Sequence, residues 1–163
     1  MATLPGWVQH DNDRKTEAAR KADAALQRRL QAGEFIRQRG MGYWEQLALA
    51  LQFNAQGLEG LKGEELYGTV VKSVTGGEHQ LHVRVDRRST WPDSVWLNLW
   101  YSPGNGSIRC WYMDKERPNI ELVVSGRPDI GQDIVAMYAD SPLTADQLGE
   151  RIIRRMADQV QAK

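Results

Sequence analysis

The chain has 163 residues, close to the size of one domain, and can bury a core without metal or disulfide staples. Hydrophobic residues make up 41% and charged residues 26%, which excludes the compositions of disordered and collagen-like chains. The formal net charge is zero, so no overall field draws the protein to nucleic acid or to an anionic membrane.

The one cysteine, Cys110, excludes an intrachain disulfide framework and a multi-cysteine metal site, and it fits a reducing compartment. The first fifteen residues lack the basic and apolar regions of a secretory signal. No run approaches the roughly 18 apolar residues of a membrane span. A cytoplasmic protein without membrane attachment, forming a single α+β domain over residues 1–163, is the expectation.

Residues 1–11 are expected to form a flexible N-terminal segment. Residues 12–39 predict a long helix: Asn12 or Asp13 can cap it, Ala, Gln, Lys and Arg fill it, and no proline interrupts it. Its apolar stripe is thin, Ala19, Ala22, Leu26 and Leu30, beside a basic stripe of Arg14, Lys21, Arg28 and Arg39. So little apolar surface predicts packing against a second copy, that is, a homodimer. Gly40-Met41-Gly42 is expected to break or kink the helix. A second helix over 43–55 then places Tyr43 or Trp44, Leu47, Ala48, Leu51 and Phe53 on one face, and Gly57, Gly60 and Gly63 end it.

From Leu66 to Ala139 the hydrophobic period changes to two, and six strands are predicted at 66–75, 78–86, 94–102, 107–113, 119–124 and 130–138. Gly76-Gly77, Pro103–Gly106 and Ser125–Pro128 supply the reversals, so the strands form an antiparallel meander. Thr144 with Gln147 makes a capping box, flanked by the staple pair Leu143 and Leu148. Leu148, Ile152, Ile153, Met156 and Val160 then form the apolar face of a C-terminal helix that packs on one sheet face.

Hairpin geometry separates the two faces of the sheet, because residues opposite one another point the same way. Val70, Val74, Leu81, Val83 and Val85 make one core set. Val95, Leu97, Leu99, Tyr101, Ile108, Cys110 and Tyr112 make the other, with Cys110 an inert core residue. The opposite face carries Trp96, Asn98, Trp100, Arg109, Trp111 and Met113 beside Gln80, His82 and Arg84, with Trp100 opposite Arg109 and Asn98 opposite Trp111. Aromatics beside Arg and Met are the composition of protein-binding hot spots and of stacking platforms. Alternatively, a strongly curled sheet buries these tryptophans, or the first helix or a second subunit covers them.

Catalytic signals are weak. His79 and His82 face opposite ways, so they cannot share a metal. His82 and Asp86 share a face about 13 Å apart at ~3.4 Å per residue, too far for a base and its orienter. Glu64-Glu65 and Asp114/Glu116 read as solvated carboxylates, and no familiar enzyme motif is present. No metal or cofactor is implied.

The first expectation is therefore a non-enzymatic binding or adaptor module that recognises a protein, a peptide or a flat ligand through the aromatic face. A second follows from element order, which resembles the helix-grip lipid-binding folds. That resemblance implies a small-molecule carrier or pocket enzyme with a cavity, lined by His82, Arg84 or Tyr101, between sheet and C-terminal helix. A third is single-stranded nucleic-acid binding, with the basic stripe on phosphates and the tryptophans on bases; zero net charge opposes it.

Overall fold

The computed structural model describes residues 3–61, 63, 65–88 and 94–161. Two compact units divide the chain, Met1–Glu34 and Phe35–Lys163. A single helix, α1 (Gly6–Gly57), runs through their boundary, and one 3-10 turn (Leu58–Gly60) follows it. Seven strands come next: β1 (Leu66–Thr75), β2 (Glu78–Arg87), β3 (Ser94–Tyr101), β4 (Ser107–Tyr112), β5 (Lys115–Arg127), β6 (Gly131–Tyr138) and β7 (Ser141–Leu143). The chain closes with α2 (Ala145–Gln161).

The N-terminal unit is helix from Gly6 onward, which begins before the Asn12 or Asp13 cap expected for it. The Pro5 carbonyl accepts from the amides of Val8 and Gln9, closing the first turn. Among its described residues none is buried; Leu26 and Leu30 are exposed. Exposed pairs Lys15–Asp11 (3.0 Å) and Arg20–Glu17 (3.7 Å) decorate its surface.

The expected break at Gly40-Met41-Gly42 does not occur, and one helix replaces two. Gly40 serves close packing instead: a methyl group there would overlap the hydroxyl of Tyr101, which is buried and stacked on Trp44 at 5.6 Å. From Gly40 on, α1 buries Tyr43, Trp44, Leu47, Ala48, Ala50, Leu51 and Ala55, while Phe53, expected on the same face, is exposed because it lies two positions past Leu51, on another side of the helix. A Cβ on Gly149 of α2 would lie 2.6 Å from that of Ala50, and one on Gly68 of β1 would lie 2.7 Å from that of Ala55. The Tyr43 hydroxyl donates to the Leu143 carbonyl at 3.2 Å and ties the end of β7 to the helix.

The sheet is a seven-stranded antiparallel meander in the order β1 to β7. Gly76 and Gly77 take φ of 60° and 78° in the first hairpin turn and set the expected register, Val70 opposite Val83. The strand count exceeds six because β7 is only three residues long, reached through an Ala139-Asp140 turn with positive φ at both positions. A second such turn, Met113-Asp114, starts β5 at Lys115 rather than 119. Between Ile108 and Cys110 the register slips: β5 sets Pro118 and Asn119 against Arg109 alone. That bulge accommodates a proline that has no amide to offer the ladder.

Both faces divide as the alternation predicts. Leu81, Val83, Val85, Val95, Leu97, Leu99, Tyr101, Ile108 and Cys110 are buried on the face that α2 and the second half of α1 cover. Val74 departs from its expected place and is 62% exposed, since burial along the edge strand β1 falls off towards its turn. α2 begins with the expected capping box: the Gln147 amide donates to Thr144 Oγ1 at 3.2 Å, and the Thr144 amide donates to Gln147 Oε1 at 3.0 Å. Leu143 and Leu148 are both buried at its entry.

Gly40→Ala is expected to lower stability by about 1–3 kcal/mol through overpacking. Gly42→Ala, exposed with open space at its Cβ, should raise it by up to about 1 kcal/mol. Thermal unfolding of the two variants checks this, and equal effects would remove the packing role of Gly40.

Candidate functional site

The uncovered sheet face is built by side chains that alternate with the core along β2, β3 and β4. Across these strands Val71, His82, Asn98, Trp111 and Glu116 form one transverse row, and Ser73, Gln80, Trp100 and Arg109 form the next. Trp100 stands opposite Arg109 and Asn98 opposite Trp111, the expected pairs. Trp96, Asn98 and Trp100 are half-buried and Trp111 is 38% exposed, so none of the three tryptophans lies inside a curled sheet.

Side chains of this face hold one another in three groups. Trp100 and Trp111 meet edge to face at 6.3 Å, an arrangement worth about 0.5–1.5 kcal/mol. The Arg109 guanidinium lies 5.9 Å over the Trp100 ring and is ion-paired with Glu78. His82 Nδ1 donates to Asn98 Oδ1, and its ring sits 6.2 Å from that of Trp96. At the end of the face Arg84 Nε reaches the buried carboxylate of Asp86 at 2.8 Å.

Met113 does not join them. It leaves the strand in the positive-φ turn before β5 and packs against the hydrophobic core. A two-residue turn after Tyr112 thus removes the last residue of the expected set. Glu64 lies outside the described residues. Glu65 is exposed beside it, and its carbonyl accepts from the Arg88 amide at 2.9 Å. Among the described residues, no group of three or more His, Cys, Asp and Glu side chains is placed to hold a metal ion.

On the other face a cavity of about 450 Å³ opens between β3–β6 and α2. Leu97, Leu99, Cys110 and Ile120 line it from the sheet, Ile152 and Met156 from the helix. None of His82, Arg84 and Tyr101 contributes. The first two belong to the opposite face, and Tyr101 is sealed against Trp44 and Gly40. Sequence reasoning missed Arg117, Tyr112, Tyr138 and Arg155, which also line it. They come from three strands and a helix, and no local spacing marks them.

Compared with protein-family models, with curated proteins and with solved structures, the chain matches none. No helix among the described residues is long and apolar enough to cross a membrane.

Burial pushes the Cys110 thiol up to about 12 from its ordinary 9.0. The folded state therefore holds this proton more tightly than the unfolded chain. The resulting stabilisation is complete below pH 9.0 and is lost as pH rises towards 12. At pH 8 iodoacetamide should label Cys110 far more slowly in the folded protein than in denaturant, because the thiolate is the nucleophile. Equal rates would place the thiol at the surface.

Proposed function

We propose that the chain is a non-enzymatic recognition module whose Trp96, Trp100 and Trp111 face docks a partner protein. The observation that carries this reading is an uncovered sheet face on which three tryptophans are already ordered by their neighbours. Aromatic side chains fixed before binding lose little conformational freedom on association, which is where much of the cost of an interface lies. Trp and Arg are also the residues most enriched at binding hot spots.

A protein surface suits the face better than a stacked planar ligand. One side of the Trp100 ring is occupied by Arg109, and its other contact is the Trp111 ring, 80° from parallel. Trp111 projects most, while Glu78, Arg84 and Glu116 supply a charged rim. Such a rim selects partners by charge pattern more than it adds affinity.

The test uses the full chain as bait, followed by affinity measurement with the purified partner it retains. Trp111→Ala should weaken that partner's binding by about tenfold or more. Its melting temperature should fall by no more than a few degrees, because Trp111 is already partly exposed. Unchanged affinity, or a variant that no longer folds, would return the tryptophans to a purely structural role.

A further inference from the structure

The cavity beneath α2 has the make-up of a ligand site independent of the tryptophan face. We propose that it binds an apolar monocarboxylate, with the hydrocarbon body between Leu99, Ile120, Ile152 and Met156 and the carboxylate between Arg117 and Arg155.

Size and lining set the first half of the assignment. A volume of about 450 Å³ falls within the roughly 300–1,000 Å³ of small-molecule pockets, and aliphatic side chains from both layers face it. A polar group placed between these aliphatic side chains would forfeit its hydration without gaining partners. The Pro118-Asn119 bulge, where the β4–β5 register shifts, lies in the lining.

Charge sets the second half. Arg84, Arg88, Arg109, Arg127 and Arg154 each have a carboxylate partner. Among the described residues Arg117 and Arg155 have none; they rest on phenols. Arg155 Nη1 donates to the Tyr138 hydroxyl at 2.9 Å, and the Arg117 guanidinium lies 5.5 Å over the Tyr112 ring. Burial raises the Tyr112 pKa, and the positive charges of Arg155 and Arg117 pull it down.

Asp140 is the one carboxylate in the lining, so two guanidiniums against one carboxylate leave a charge of plus one. A monoanion matches that balance. A neutral amphiphile leaves it unmatched, and a phosphate dianion exceeds it. Carboxylate also fits the planar fork of arginine, and charge-assisted hydrogen bonds are about twice as strong as neutral ones.

The probe is dodecanoate below its micellar concentration, titrated calorimetrically into the full chain, with dodecan-1-ol as the uncharged equivalent. Saturable one-to-one binding is expected, weakened by about tenfold or more for the alcohol and for the R117Q/R155Q variant. Both arginines are exposed, so that variant should keep the wild-type melting temperature. Trp111→Ala should bind dodecanoate like wild type, which keeps this site distinct from the sheet face. Absence of binding, non-saturable uptake, or equal affinity of the arginine variant would overturn the assignment.

Discussion

Backbone proximity along the second half of α1 governs the rest of the larger unit. Gly40, Gly68 and Gly149 each lack the one atom that would hold neighbouring elements apart, and they lie against Tyr101, Ala55 and Ala50. Close approach at these points lets Trp44, Leu47 and Leu51 sit with almost no exposure among strands and α2. Core side chains packed at crystal-like density tolerate little displacement. The helix therefore fixes both where the sheet lies and how deep α2 can settle.

Both helical elements of this unit pack on one sheet face, and among its described residues no element covers the other. Period-two alternation then dictates what the bare face carries, because every core residue of β3 and β4 has a neighbour pointing away from it. Leu97 and Leu99 alternate with Trp96, Asn98 and Trp100, and Cys110 with Arg109 and Trp111. The aromatic face is thus not a separate construction; it is the reverse of the core, written on the same strands. Its rings are ordered by a cation and by each other rather than by a covering layer.

Those alternations and the hairpin registers were legible in the sequence because loop length and period are local. Gly76-Gly77 and Pro103–Gly106 each admit one pairing that puts valine and leucine together, and the strands adopt it. Glycine itself was ambiguous: Gly40-Met41-Gly42 has the composition of a break, yet only the tertiary partner Tyr101 reveals that Gly40 is a contact. Met113-Asp114 and Ala139-Asp140 were invisible as turns because the first residue of each, Met113 and Ala139, is of a type that seldom takes positive φ. With the first of them missed, Met113 was assigned to the aromatic face instead of the core. The cavity was illegible for a different reason, since Arg117 and Arg155 are 38 positions apart by number and meet only through the packing of α2 on the sheet.

Two surfaces on opposite sides of the same strands raise the question of whether one senses the other. Coupling requires an element with two arrangements whose balance both ligands bias. The strands between the surfaces offer no such element: Leu99 and Ile108 are fully enclosed, Leu97 and Cys110 nearly so, and a packed layer of this kind resists small continuous shifts. The pleat that gives each face its residues also insulates it. A carboxylate held between Arg117 and Arg155 would be anchored at the β5 bulge and on α2, elements that contribute neither Trp100 nor Trp111. The proposed recognition on one face and the proposed ligand capture on the other therefore rest on separate elements of this fold.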